Sequence, residues 1–354
     1  MPPADPKPFP DAPAFRKALL AWFSRHQRAM PWRTEVSAYR TVVSELMCQQ
    51  TQIATAIPYF ERWTARWPDF ASLAKAKEAD VLAAWAGLGY YTRARNLLAL
   101  AEQVAGRPEP RTAEAWRAFK GVGPYTAAAI ASIAFREPVA VVDGNVVRVL
   151  SRVAGVRERF KDTTTAAKVF TPLADTLVDP RRPGDFNQAM MELGATVCRK
   201  AGPDCARCPV AKWCDARRRG DAADLPRFEA KVRKTAAVAR ALVRHRGRVL
   251  VRRNPADARR LAGMAELPDI ATLTAAASGS VAMVRRRTIG TVTYEETLVE
   301  VVATPAAVRG WAKDVGLEWI AEAGLAEAAL TGPHLRWLRE WLSPAGRPAR
   351  GRRP

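Results

Sequence analysis

A chain of 354 residues, 48% hydrophobic and 26% charged, holds enough apolar material for two buried cores and is too apolar to be disordered throughout. Its 56 Lys and Arg against 35 Asp and Glu leave a net charge of +21 and a sequence pI near 10.5, the balance of a protein that meets a polyanion or an anionic surface. The excess is shared between residues 1–234 (+13) and 235–354 (+8), and no apolar run is long enough for a membrane-spanning helix.

Residues 1–13 contain six prolines and no basic-then-apolar leader, so they read as a disordered lead and the protein as intracellular. Helical spacing begins with Phe15, Leu19, Leu20 and Phe23 and ends near Pro31-Trp32-Arg33. A second helix is predicted from about Ser44, carrying Glu45 to Thr51 toward Pro58. Further helices are expected at 69–76, 78–86, 92–105, 112–119, 124–135, 143–154 and 163–177, which makes this region all-α. Residues 216–234, with Arg217-Arg218-Arg219 and Pro226, read as a solvated linker. Beyond Lys234 the apolar period changes. Residues 236–250 read as a hairpin turning at His245-Arg246-Gly247, residues 281–284 and 297–302 as strands, and residues 335–342 as a late helix. This predicts a separate α+β domain over 235–343, followed by a disordered basic tail at 344–354.

Four of the five cysteines, Cys198, Cys205, Cys208 and Cys214, form a C-x6-C-x2-C-x5-C array; the fifth is Cys48. Thiolates so close in sequence suit one Zn2+ or one iron–sulfur cluster, with two disulfides as the alternative in an oxidising compartment. The first gap exceeds usual zinc-finger spacing, and a reducing location disfavours disulfides, so the cluster is the preferred reading. Arg199, Lys200, Arg207 and Lys212 rim the array and suit phosphate.

Upstream, Gly121-Val122-Gly123 leads into an Ala-rich helix and would expose backbone N–H groups to phosphate, although an ordinary glycine turn has the same pattern. The apolar run 139–142 delivers Asp143 to Gly144, a pattern shared by helix caps and catalytic carboxylates. Glu45 sits on a largely apolar helix, where burial would let it keep a proton near neutral pH; a salt-bridged surface glutamate is the alternative. Gln49, Gln50 and Thr51 offer uncharged hydrogen-bonding groups suited to base edges. The turn Gly87-Leu88-Gly89-Tyr90-Tyr91 precedes Arg93 and Arg95, combining stacking with phosphate contact.

In order, E-L-M-C-Q-Q-T (45–51), G-L-G-Y-Y-T-R-A-R (87–95), K-G-V-G-P-Y-T (120–126), V-D-G-N-V-V-R-V (142–149), F-N-Q-A-M-M-E-L-G-A (186–195) and the cysteine array resemble the MutY-type adenine DNA glycosylases of the helix-hairpin-helix superfamily. The resemblance runs from about Trp32 to Cys214. It implies an all-α helix-hairpin-helix glycosylase domain over 14–215, one [4Fe–4S] cluster on the four cysteines, and duplex DNA with adenine opposite 8-oxoguanine or guanine as substrate. It implies a monofunctional base excision repair enzyme, monomeric and cytoplasmic, nucleoid-associated in a bacterium.

The roles carry over residue by residue as that resemblance implies them. Glu45 corresponds to the acid that protonates the adenine ring and Asp143 to the carboxylate that stabilises the oxocarbenium-like sugar. Tyr125 and Asn145 correspond to residues that orient these two. Trp32, Arg33 and Gln188 match the flipped-adenine pocket. Gln50 and Tyr90 match residues pushed into the duplex, Thr51 and Leu88 those beside 8-oxoguanine, and Gln49, Gly121, Val122 and Gly123 complete the expected DNA contacts. Cys48 replaces the family's usual Leu and reads as an apolar filler.

Endonuclease III-like relatives carry a lysine where this chain has Tyr125 and lack the Glu45 carboxylate, so a lyase is disfavoured; a non-catalytic cluster protein is a further alternative. Residues 235–343 resemble the family's Nudix-like domain without a hydrolase box. Its aromatic–Ser/Thr–His motif is replaced by residues 287–294, which contain no His, so discrimination of 8-oxoguanine from guanine is expected to be weaker or to use other residues.

Overall fold

Asp11 caps a helix over Ala12–His26, accepting a hydrogen bond from the Ala14 amide, and the apolar stripe of Phe15, Leu19 and Phe23 turns inward. The expected disordered lead is therefore corrected at its end, because residues 11–13 already belong to this helix start and Phe9 packs edge-on to Phe15. The computed structural model describes residues 9, 11–230, 232–255, 257, 258, 261–273, 279–326 and 328–343; most of the lead and the whole tail lie outside the described residues. Two units emerge, Met1–Ala76 with Asn96–Ala230, and Lys77–Arg95 with Lys231–Pro354.

Side-chain caps mark where many helices of the first unit begin. Ser37 caps Ala38–Cys48, Asp69 closes a reciprocal capping box on Phe70–Ala74, and Thr112 caps Ala113–Arg117. Asp143 caps Gly144–Ala154 and Asp162 caps Thr163–Leu177. Pro58 lies inside Ile53–Arg66 and Pro172 inside Thr163–Leu177, so both helices tolerate an interior proline. Phe15, Leu150, Phe170, Phe186 and Leu193 form one buried cluster, bringing the first helix, Gly144–Ala154, Thr163–Leu177 and Pro183–Thr196 around a common core.

Two glycines set how closely the helices around the future site can lie. A Cβ on Gly184 would stand 2.8 Å from the Ile133 Cα and from the Ser132 carbonyl oxygen, on the Pro124–Phe135 helix. One on Gly194 would stand 2.6 Å from the Asn145 Cβ and 3.1 Å from its Cα. The Pro183–Thr196 helix is thus in near-backbone contact with the helices that carry Tyr125 and Asn145. Buried Asn187 adds a polar clasp: its Nδ2 donates to Ser132 Oγ and Val139 O, both at 2.9 Å, and its Oδ1 accepts from Val141 N at 3.0 Å. That clasp fixes the extended run that ends at Asp143.

The linker expected at 216–234 is corrected over most of its length. Asp215–Arg219 is a helix, Arg227–Phe228 pairs in parallel with Arg159–Phe160, and Ala216, Ala222 and Leu225 are buried. Composition misled here because Arg217, Arg218 and Arg219 point outward while the small apolar residues between the charges make the contacts.

In the second unit, Lys234–Leu242 lies parallel to Val292–Val301, which pairs antiparallel with Gly279–Ile289. A second sheet joins Arg244–His245, Ala265–Glu266 and Leu317–Ala321 to Arg248–Arg253. The predicted turn is where expected, with Arg246 and Gly247 at φ 47 and 70. The predicted hairpin is much shorter than expected, because Lys234–Leu242 pairs with a strand far along the chain instead. Helices Pro305–Trp311 and Gly332–Leu342 cover these sheets, the second with Trp337, Leu338 and Trp341 turned inward. Among the described residues no helix is long and apolar enough to cross a membrane.

Candidate active site

An open cleft of about 1600 Å³ in the first unit is lined by Glu45, Tyr125, Asp143 and Asn145. Glu45 arrives on Ala38–Cys48, Tyr125 on the second position of Pro124–Phe135, and Asp143 at the cap of Gly144–Ala154. The Tyr125 hydroxyl donates to Glu45 Oε2 and lies 3.6 Å from Met191 Sδ. Asp143 accepts from the Val146 amide at 2.7 Å through one oxygen and from Asn145 Nδ2 at 2.8 Å through the other.

These surroundings separate the two carboxyls. Burial pushes the Glu45 carboxyl up to about 7, with Asp143 adding to the rise and Tyr125 and Arg33 opposing it. Burial also raises Asp143, but a helix amide, Asn145 and Arg148 all stabilise its anion. Glu45 has one neutral donor, whereas Asp143 has two donors and a helix N-terminus. Of the two, Glu45 is therefore the better placed to hold a proton and Asp143 to carry the negative charge. Tyr125 is held well above its ordinary pKa by burial and by both carboxyls, so it stays a phenol. The helix-cap and catalytic readings of Asp143 are compatible, since the cap is what stabilises the anion.

Trp32, Arg33, Gln49, Gln50, Thr51 and Gln188 line the same cleft. Gln50 is exposed with φ 55, an uncommon backbone for a non-glycine residue and one that concentrates at functional sites. Gly121, at φ 90, turns the chain, and Gly123 caps the helix that carries Tyr125, with Val122 between them. Leu88 and Tyr90 belong to the second unit: Leu88 is only 6% exposed, whereas Tyr90 is 51% exposed at φ 47. Cys48 also lines the cleft.

Sequence reasoning missed a buried charge cluster on the cleft wall. Glu192, 1% exposed, accepts from Arg28 Nε at 2.6 Å, Arg28 Nη2 at 3.1 Å, the Arg28 amide at 3.2 Å and Arg33 Nη2 at 3.0 Å. The only signal available beforehand was a charged residue on the inward face of a helix whose other buried residues are mostly apolar.

The four cysteines share a small apolar cavity of about 20 Å³ with Val149, Val153, Leu193 and Val210. Burial, with the neighbouring cysteines adding, pushes the Cys208 thiol up to about 12 and raises Cys214. Among the described residues no three His, Cys, Asp or Glu side chains are grouped as ligands of a single metal ion. Four soft sulfur donors around one apolar cavity are the donor set that zinc or an iron–sulfur cluster takes. Arg152, 1% exposed, donates to Cys198 Sγ at 3.1 Å and to the Arg199 carbonyl at 2.8 Å. Arg148 donates to the Cys198 carbonyl at 2.8 Å and to Asn145 Oδ1 at 2.8 Å, so the cysteine loop and the Asp143 cap share one hydrogen-bonded chain.

Comparison with known proteins places the chain in a family. The family model described as HhH-GPD superfamily base excision DNA repair protein matches residues 43–172. A rat protein named adenine DNA glycosylase is 48% identical over 221 residues, 59% of this chain and 43% of that protein. A protein of the same name from Mycolicibacterium smegmatis is 38% identical over 205 residues, 56% of this chain and 69% of that protein. The match thus spans less than half of the rat relative and over two thirds of the mycobacterial one. The expectation of a bacterial source gains no support, since the mammalian relative has the higher identity. Among solved structures, a thermostable thymine-DNA glycosylase superposes with a TM-score of 0.53 at 26% identity, covering 59% of this chain and 97% of that one. The chain belongs to the adenine DNA glycosylase family of the HhH-GPD base excision repair superfamily.

Proposed function

We propose that this chain is a monofunctional adenine DNA glycosylase that hydrolyses the N-glycosidic bond of adenine opposite 8-oxoguanine or guanine in duplex DNA. The observation that carries the reading is the Glu45–Tyr125–Asp143 constellation, a protonated carboxyl and a capped carboxylate with a phenol beside them. The net charge of +21 supports a polyanionic substrate.

In this mechanism adenine leaves the stack and enters the cleft, where Trp32, Arg33 and Gln188 supply a stacking surface and hydrogen-bonding groups. Gln50 is exposed enough to fill the vacated position, and Tyr90, exposed on the second unit, is read as a further DNA contact. Glu45 gives its proton to N7 of the ring. The C1′–N9 bond breaks with its electron pair going to the base, and the Asp143 anion stabilises the cationic sugar. Water adds to C1′ and returns a proton to Glu45, leaving an abasic site. Tyr125 has no amine with which to form a Schiff base, so the strand is left uncut.

Cys198, Cys205, Cys208 and Cys214 would hold one [4Fe–4S] cluster, which when bound supplies a rigid cross-link and a one-electron centre. The chain's own Arg148 and Arg152 tie that loop to the helix capped by Asp143. Residues 235–343 are read as a Nudix-like domain that recognises the base opposite adenine, and the enzyme as a monomer acting in the compartment that holds DNA.

The test is single-turnover release of adenine from matched duplexes with A opposite 8-oxoguanine, G or T, followed by alkali cleavage. Release from the first two, with no adduct trapped by borohydride, supports the reading. Borohydride trapping on a pyrimidine lesion, or DNA binding without base release, would replace it with the lyase or the non-catalytic alternative.

A further inference from the structure

We infer that Glu192 is a positioning residue for the acid step: its buried carboxylate fixes Arg33 against Gln188 and offsets part of the positive charge that Arg33 imposes on Glu45. The inference deepens the adenine glycosylase reading and rests on it.

The geometry begins with a carboxylate whose oxygens are taken by two arginines. Glu192 holds Arg28 by two side-chain bonds and one amide bond, and Arg33 by Nη2 at 3.0 Å. Arg33 is then committed through all three nitrogens. Its Nε donates to Gln188 Oε1 at 2.9 Å, and its Nη1 to the Arg28 carbonyl at 2.9 Å. Gln188 and Glu192 lie one turn apart on Pro183–Thr196, so one helix face presents both anchors to the same guanidinium. A guanidinium only donates, so Gln188 must offer it the oxygen. That turns the Gln188 NH2 away from Arg33, and among the described residues no acceptor meets it. The amide lines the cleft with Glu45 and so presents donors, which suit a ring nitrogen of a base.

The electrostatic part follows from which groups face Glu45. Tyr125 donates to it from the neighbouring helix, Asp143 faces it from the capped helix, and Cys48 lies on its own helix. Arg33 faces it from Pro31–Thr34, with Arg28 and Glu192 behind, and Arg148 stands beside Asp143 through Asn145. Burial and Asp143 favour the protonated acid, while Tyr125 and Arg33 favour its anion. A general acid must keep its proton, and an unopposed Arg33 would pull the Glu45 pKa further down. Glu192 is the counter-charge: it is fully buried, its own pKa is depressed by the two arginines against the opposing effect of burial, and it stays ionised through neutral pH. The sequence places it 147 residues from Glu45, which is why no local pattern announced it.

The experiment titrates Glu45 directly in the whole protein by carboxyl 13C chemical shift, with Glu45→Gln used to assign the signal, and in parallel records the pH profile of single-turnover adenine release. The wild-type midpoint is expected near 7. In Glu192→Gln both the midpoint and the alkaline limb should move down by about one pH unit, roughly a tenfold fall in proton affinity. The rate loss should then grow from slight at low pH to about tenfold or more on the alkaline side. Glu192→Asp, which keeps the charge, should restore the limb. Arg33→Gln gives the opposite sign and should move the Glu45 midpoint up, a readout that stands even where Glu192→Gln does not fold. A pH-independent rate loss, an unmoved midpoint in Glu192→Gln, or no rescue by Glu192→Asp would each overturn the inference. If the midpoints move as expected but the wild type releases no adenine, the charge relay holds and the functional reading fails instead.

Discussion

Gly194 offers a sharp test of how the Asp143 carboxylate is placed. Replacing it by Ala puts a methyl group 2.6 Å from the Asn145 Cβ and 3.1 Å from the Asn145 Cα and carbonyl oxygen. None of these three atoms is the free end of a flexible chain, so the Pro183–Thr196 and Gly144–Ala154 helices must separate by several tenths of an ångström. Overpacking of this kind costs about 1–3 kcal/mol. The shift falls at the residue that donates to Asp143 at 2.8 Å and receives Arg148 at 2.8 Å. A displacement of about 1 Å at reacting groups can cost about a hundredfold in rate. Gly194→Ala should therefore fold with reduced stability and lose between roughly tenfold and a hundredfold in single-turnover base release, with DNA affinity less affected. Gly184→Ala is the control: it forces a methyl against the Ile133 backbone at 2.8 Å, at the far end of the Tyr125 helix, and should cost stability with a smaller loss of rate. Thermal melts and single-turnover kinetics on the same duplex measure both. Native stability and native rate in Gly194→Ala would refute the claim that these helices meet at backbone contact.

Three further outcomes follow from the same geometry. Because the Tyr125 hydroxyl favours the anion of Glu45, Tyr125→Phe should raise the Glu45 pKa above about 7 and move the alkaline limb of the pH–rate profile upward; a downward move would contradict the assigned donor. In the second unit, burial raises the Glu296 carboxyl, but the His334 hydrogen bond and Arg287 overcome it and hold the group down at about 2. A depressed folded-state pKa contributes stability that is present above the unfolded value of about 4.3 and lost as pH falls toward 2. Acid titration followed by calorimetry should show the second unit losing on the order of 2–3 kcal/mol across that window, and Glu296→Gln should reduce the dependence there, with the acid sensitivity of buried His334, whose pKa burial lowers, remaining at higher pH. Finally, Cys198→Ser should lower stability and DNA affinity before it lowers the rate of bound complex, because it removes one of the four sulfur donors around the shared cavity and the sulfur that accepts from Arg152; a normally folded variant with unchanged affinity would contradict this.

Much of the helical unit was legible because its signals are local. Asp69, Thr112, Asp143 and Asp162 cap helices at nearly the expected residues, since capping depends on a side chain reaching three residues along its own chain. Glu45 announced itself as an acid on an apolar helix. What stayed hidden depends on distant partners. The Arg28–Glu192 contact spans 164 residues, and the role of Gly194 appears only once Asn145 is packed against it. Lys234–Leu242 has the alternation of a hairpin arm, but its partner is Val292–Val301, and nothing within the strand specifies that choice. The segment Lys77–Arg95 reads as one more helix and turn, yet it clusters with the C-terminal residues, where the Tyr91 hydroxyl donates to the Leu330 carbonyl at 3.2 Å.

The central claim is that a protonated Glu45 acts against an anionic Asp143. The most direct measurement is adenine release under single-turnover conditions from duplex with A opposite 8-oxoguanine, comparing the wild type with Glu45→Gln. The account predicts release by the wild type, falling as pH rises through about 7, and near-complete loss in Glu45→Gln with DNA binding retained. Full release by Glu45→Gln, or none by the folded wild type, would contradict it.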